Sequence, residues 1–275
     1  TEAGVRVLVA GEHFTTYKTE DDLKYPYFYP VAGPATGESV TTAGTQPWPH
    51  HRSLFFGCDK VNGGNYWQDS NRRGQIVSQG VTLLEDAGPR VGWRDTALWR
   101  EPGDEPILRD EREIWISAPD ASRRFIDIAI TLVPLVEVTI EKSNHALFSA
   151  RMTPTRRADG GGTLVNAAGA RGEADTFGAH APWMACYGVH HGETEGLAIL
   201  QHPQSTWRDA PWFTRDYGFF SPTPMNWLEA PLVLPPGEAV RLYYRVVVFS
   251  GEPGAADIAG AYAAFAQQPM PAPVE

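Results

Sequence analysis

The densest run of chemically capable side chains is Pro49-His50-His51-Arg52-Ser53-Leu54-Phe55-Phe56-Gly57-Cys58-Asp59, followed closely by Asn62-Gly63-Gly64-Asn65-Tyr66-Trp67. An imidazole titrates near neutrality and can give or take a proton. A guanidinium beside it can hold a carboxylate, a phosphate or a developing oxyanion through paired hydrogen bonds. Read as an extended strand, His50 and His51 point to opposite faces, so one of them enters a given pocket. The alternative is that His51 hydrogen-bonds inside the sheet while His50 is exposed. A second group is Asn144-His145, with Phe148 and Arg151 on the strand after it. A third is His180, Trp183 and Tyr187, and a fourth joins His202-Pro203 and Trp207 to Arg215-Asp216-Tyr217-Gly218. His190-His191-Gly192-Glu193 reads as a solvated hairpin turn. The bland reading of the first cluster is a buried polar brace beneath a long loop, but polar residues this dense rarely serve packing alone.

Metal chemistry needs three or four converging ligands, and the compact spacings HExxH and HxH are absent. A centre assembled from distant strands, using His50 or His51, His145, His202 and a carboxylate, leaves a divalent metal open as cofactor. Glu111 and Glu113 share a strand face with Arg109, opposite Arg112. Such alternating charge marks a solvated sheet face more readily than a glycosidase carboxylate pair. No GxSxG, P-loop or GxGxxG follows a strand, which removes the common hydrolase, nucleotide and dinucleotide readings. Nine tryptophans and ten tyrosines, many beside His, Arg, Asn and Asp, suit a sugar, whose apolar face packs on a ring while its hydroxyls need fixed polar partners. Several of those rings must also belong to the core.

The elements that position these groups are strands. Period-2 and β-branched segments recur at Val5–Val9, Phe14–Tyr17, Gln75–Leu84, Ile107–Ser117, Phe125–Leu132, Val136–Glu141, Ala146–Met152, Gly196–Gln201 and Val240–Ser250. One segment reads as helix, the Ala-rich Ala255–Gln267 between Pro253-Gly254 and Pro269. Strands without interleaved helices predict an all-β, antiparallel sandwich with a short C-terminal helix, formed as one domain over residues 1–275. Two long loops, Pro30–Arg52 and residues 203–231, are where function gathers. A formal net charge of -10 without a basic stripe argues against nucleic acid and anionic membranes. No apolar run reaches the roughly 20 residues of a bilayer span. With no secretory signal and two cysteines, Cys58 and Cys186, read as reduced thiols, the expectation is a cytoplasmic protein.

Tyr25-Pro26-Tyr27-Phe28-Tyr29-Pro30-Val31, the run from Pro49 to Gly57, Asp59-Lys60-Val61-Asn62-Gly63 and Tyr66-Trp67 resemble the DUF6807 family, also labelled PmoA-like. Trp183, Gly196-Leu197-Ala198-Ile199, His202-Pro203, Arg215-Asp216-Tyr217-Gly218 and the stretch from Leu234 to Arg245 fit the same resemblance, which covers nearly the whole chain. It implies a galactose-mutarotase-like β-supersandwich and a pathway shared with a sugar oxidoreductase. Asn144-His145 is similar to the Asn-His step of mutarotase-like folds, where the histidine acts on the sugar ring. The leading expectation is therefore an enzyme acting on a sugar, an oxidised (keto) sugar or a glycoside, by epimerisation or β-elimination. His51 and His145 would be the acid/base pair and Arg52 the oxyanion partner. His50, Asn62, Trp67, Arg151, Trp183, His202, Arg215 and Tyr217 would bind substrate. The competing expectations are a non-catalytic carbohydrate-binding or accessory subunit, and a metal-dependent lyase or oxygenase.

Overall fold

The structure, a computed structural model, describes residues 4–68 and 70–272. The chain opens with strands β1 (Gly4–Val9), β2 (Glu12–Lys18), β3 (Tyr27–Val31) and β4 (Leu54–Val61), and folds the short β5 (Gly64–Asn65) back on β4. Four long strands follow: β6 (Gln75–Glu85), β7 (Arg90–Arg100), β8 (Leu108–Asp120) and β9 (Arg123–Pro134). Then come β10 (Val138–Ile140), β11 (Ala146–Arg151), β12 (Thr163–Asn166), the one-turn helix α1 (Gly172–Thr176), β13 (Trp183–His190) and β14 (Glu193–Gln201). The chain continues through β15 (Trp212–Arg215), β16 (Phe219–Pro222), β17 (Leu232–Leu234) and β18 (Val240–Ser250) to helix α2 (Ile258–Ala266).

One sheet runs β1-β2-β3-β4-β11-β16-β15, with β5, β10 and β17 attached beside β4, and the other runs β12-β13-β14-β18-β9-β8-β7-β6. The architecture is the all-β sandwich that the strand pattern predicts. Alternation does the sorting: on β9, Ile126, Ile128, Ile130 and Leu132 are buried and interleave with Asp127, Ala129 and Thr131. Aromatic pairs join the sheets, Tyr17 to Trp93 at 5.7 Å, Phe56 to Trp99 at 6.2 Å and Phe148 to Tyr244 at 5.1 Å between centroids. Each such ring taken out of water contributes roughly 1.5–3 kcal/mol.

Some elements lacked the expected signal. In β4 all but Lys60 are buried, so Leu54–Val61 reads as a continuous apolar run without alternation. On β7, Arg94 and Asp95 hide a strand whose Trp93, Asp95, Ala97 and Trp99 all face inward. The C-terminal helix starts at Ile258 instead of Ala255, because Asp257 (φ 51°) caps it and accepts from Gly260 N. Phe265, Ile258 and Ala261 pack it on Tyr243, Val247 and Phe249, outside the second sheet. Cys58 and Cys186 are free, buried thiols, and burial pushes both well above the ordinary thiol range. No helix among the described residues is long and apolar enough to cross a membrane.

Candidate functional site

The site grows from the pairing of β4 with β11. Their register sets Phe56 opposite Phe148 and Cys58 opposite Ala146, which brings Asp59 N onto His145 O at 2.9 Å. Strand alternation then divides β4: Phe56 turns toward the second sheet, while Phe55 turns outward to Tyr25 (4.9 Å, stacked) and Trp67 (4.7 Å). Gly57 lets the next segment cross at this point, since a Cβ there would lie 2.5 Å from Tyr66 O. Asn65 fixes that segment by accepting from Trp67 N and Gln68 N at 3.0 and 2.8 Å. Trp67 is thus held, fully buried, against the outer face of the sheet.

The roof is the long loop. His51 N bonds Trp48 O at 3.1 Å, closing a tight turn over Trp48-Pro49-His50-His51, and Gly44 N bonds His51 O at 3.0 Å. Tyr25 donates to His50 O at 2.6 Å and ties the turn to the sheet. This turn overturns the expectation of opposite faces. His50 and His51 precede β4 and are not extended, so both rings enter one cluster, with centroids 4.5 Å apart at 81°. His51 lies between Trp48 (6.2 Å, stacked) and Phe219 (4.7 Å, stacked). His50 faces His145 at 6.0 Å, and Trp67 faces His145 at 6.1 Å. Tyr217 closes one side, 6.3 Å from His51 and 5.8 Å from Trp48, with the Arg151 guanidinium 4.6 Å over its ring. Left-handed backbone at Ser53 (φ 66°) and Leu147 (φ 72°) flanks the cluster; for a Leu this is strained geometry of the kind that gathers at functional sites.

Electrostatics follow from burial. Burial first, then the neighbouring His145 and Arg52, lowers the His50 pKa to about 4. Burial again, reinforced by His50, Arg151 and His145, lowers that of His51 to about 2. Both rings are therefore neutral at pH 7. Asp59 is held below the usual carboxylate range: burial opposes ionisation, and the His145 ring together with the Lys60 amide (2.7 Å) outweighs it. Asp59 Oδ2 stands 3.7 Å from His145 Nδ1, too long for a hydrogen bond but close enough to orient a protonated ring. His50 Nε2, His51 Nδ1, Trp67 Nε1 and Arg151 Nε are buried without a hydrogen-bond partner among the described residues. His145 keeps its side chain 27% exposed and opens the cluster to solvent.

The structure brings together His50, His51, His145, Trp67, Arg151 and Tyr217. Arg52 adjoins them: it acts on His50 and on the Tyr25 and Tyr27 hydroxyls, and has no ion pair or hydrogen bond among the described residues. Four others have different work. Asn62, at φ 49° in a turn, donates to Glu137 O and accepts from Thr139 N. Trp183 packs in the cluster beneath α2. His202 bonds Gln268 O at 3.0 Å between Tyr243 and Phe265, so the metal centre imagined from His50 or His51, His145 and His202 does not assemble. Arg215 pairs with Glu173 at 3.0 Å and covers Phe213 and Phe177. Asp59 and Phe219 were not singled out by sequence reasoning, since only the β4–β11–β16 register makes them neighbours of the histidines. A hollow of about 530 Å³ lies elsewhere, beside Trp115, Asp127 and Arg245, but there the Arg245 guanidinium is already held by Asp127 at 2.6 Å.

Compared with known families, residues 4–263 match the family described as "Family of unknown function (DUF6807)". No curated protein matches the chain significantly.

Proposed function

The chain belongs to the DUF6807 family, and from that premise we propose that the histidine cluster is the active site of an enzyme acting on a sugar, an oxidised (keto) sugar or a glycoside by acid–base chemistry. One observation carries the reading. Three imidazoles and an indole N–H converge inside aromatic walls, and His50 Nε2, His51 Nδ1 and Trp67 Nε1 find no partner there. Buried polar atoms are normally satisfied, so an open set of donors and acceptors beside exposed ring surface suits a hydroxylated ring.

His145 is the proton carrier: its ring is partly exposed and Asp59 Oδ2 stands 3.7 Å from its Nδ1, while burial keeps His50 and His51 neutral. It takes the proton from the carbon next to a carbonyl, and the C–H electron pair moves into the carbonyl to leave an enediolate. Arg52, whose side chain has no ion pair or hydrogen bond among the described residues, steadies that oxyanion. The neutral His51 and His50 hold hydroxyls, and the partly exposed Tyr217 packs on the ring. The intermediate then resolves in one of two ways. A proton from water adds to carbon at the opposite face while the imidazolium gives its proton back to solvent, or the bond to a β-oxygen breaks and the leaving oxygen takes the proton from the imidazolium. A keto sugar is the product of a sugar oxidoreductase, the enzyme class this reading places in the same reaction sequence.

The test is proton NMR of the purified protein in D2O with free sugars, glycosides and their 3-keto derivatives. The expected result is loss of a signal next to the carbonyl, or release of an aglycone, by the wild type and not by His145→Ala. Line broadening with no new species and no exchange would replace the enzyme with a carbohydrate-binding subunit.

A further inference from the structure

Away from the histidine cluster, the geometry points to a second site: Glu38, His190 and His191 form a three-ligand seat for a divalent transition metal of the zinc type. Their ligand atoms all lie within 4.8 Å of one another, the single such set of three among the described residues. His190 Nε2 is 2.7 Å from Glu38 Oε2, and His191 Nε2 is 3.8 Å from Glu38 Oε1. Tetrahedral zinc with its usual bond lengths near 2.0–2.2 Å puts ligand atoms about 3.3 Å apart. The two separations, one to each oxygen of Glu38, lie on either side of that value, and side-chain rotation has to draw the set in from its 4.8 Å limit.

Three features fix the seat before any ion arrives. His190 ends β13 and Glu193 begins β14, and the residues between them, His191 (φ 52°) and Gly192 (φ 84°), make the tight turn that sets the two imidazoles 4.2 Å apart at 89°. His190 Nδ1 contacts Thr155 Oγ1 at 3.2 Å, and that hydroxyl can accept from Nδ1–H when Nε2, which bonds Glu38 Oε2 at 2.7 Å, turns to the metal. Glu38 rides on a loop pinned by buried Glu195, which accepts from Ala35 N (2.7 Å), Thr36 N (2.9 Å), Thr36 Oγ1 (2.7 Å) and Arg156 (2.8 Å). Imidazole with carboxylate is a donor set for zinc, copper or nickel, not calcium or magnesium. The half-exposed setting leaves a fourth position to water or an incoming ligand. The ion would clasp the loop that leads to Trp48 onto the β13–β14 hairpin.

The experiment is titration of tag-free, metal-stripped protein with zinc chloride, followed by calorimetry and by the imidazole NMR signals. The expected result is one equivalent bound, weakened roughly tenfold or more by Glu38→Gln and by His191→Asn. The Asn variant tolerates the left-handed backbone and so preserves the turn. His145→Ala should bind zinc as the wild type does. No stoichiometric binding, binding that survives both hairpin-site variants, or binding lost only with His145→Ala would overturn the assignment.

Discussion

Two buried polar regions of this molecule use their hydrogen-bonding capacity in opposite ways. Between the sheets, Arg112 gives Nε and Nη2 to the two oxygens of Asp110 and Nη1 to Tyr17. Tyr17 donates to Asp95 at 2.7 Å, and Trp99 adds its indole N–H to Asp110. Among the described residues every side-chain nitrogen and oxygen of these five residues has a partner, and the indole nitrogen of Trp93 is an open atom beside them. On the outer face, His50, His51, Trp67 and Arg151 each retain a buried polar atom with no partner among the described residues. A saturated network holds a fold together and offers a ligand nothing, whereas an open one is costly unless something comes to complete it. The difference separates brace from site more sharply than burial or charge does, since both regions are buried and both contain arginine.

The largest effect should come from breaking the saturated side. Arg112→Ala leaves Asp110 as an unpaired buried charge and should cost about 3–5 kcal/mol, read by denaturant unfolding. A loss below about 1 kcal/mol would show that the network is not the brace described. On the open side, His145→Ala should lower turnover by about 10²–10⁴-fold while costing about 1 kcal/mol or less in unfolding, since that ring is partly exposed although Trp67 and His50 lie against it. Unaltered turnover on a substrate that the wild type processes would remove His145 from the chemistry.

A subtler change should invert the usual sign. His51→Phe keeps the stacked ring between Trp48 and Phe219 and deletes the unpartnered nitrogen, so stability should hold or rise by about 1 kcal/mol while ligand affinity falls. The pH dependence gives an independent reading. A histidine whose pKa drops on folding, from 6.5 to about 4 for His50 and about 2 for His51, binds protons more weakly folded than unfolded. Stability is then full above pH 6.5 and declines as pH falls toward those folded values. Asp59 and Glu195, also lowered by folding, act at lower pH, so the decline between pH 6.5 and about 4.5 belongs to the imidazoles. That limb should flatten in His51→Phe. An acid limb as steep as the wild type's would mean that His51 is not held neutral.

Much of the sandwich was legible because one-face burial writes period 2 into β8 and β9, and β-branched residues mark β18. What hid was buried on both faces, as in β4, or carried inward charge, as in β7 with Asp95. The site was half legible. The density of His50, His51, Arg52 and Trp67 announced it, and His145 stood out as a second group whose catalytic role came from a resemblance. The facing of the two adjacent histidines was misjudged because strand alternation was applied to what is a turn. Asp59 and Phe219 depend on register between strands far apart in sequence, which no local spacing encodes. Asn62, His202 and Arg215 were chosen by residue type, and type alone does not say whether the capacity is already used.

Asn62 offers the finest test of that last distinction. Its side chain holds the backbone on both sides, Oδ1 accepting from Thr139 N at 2.7 Å and Nδ2 donating to Glu137 O at 3.0 Å, so it joins the end of β4 to β10 as a backbone clasp. Its left-handed φ of 49° is one that Asn adopts readily. Asn62→Gly keeps the backbone conformation and removes only the two hydrogen bonds, and since the position is exposed the loss should be about 1 kcal/mol. Turnover and sugar affinity should be those of the wild type. A tenfold loss of affinity without loss of stability would move Asn62 from the saturated class to the open one, and the pocket would then have to extend along the β4–β10 edge.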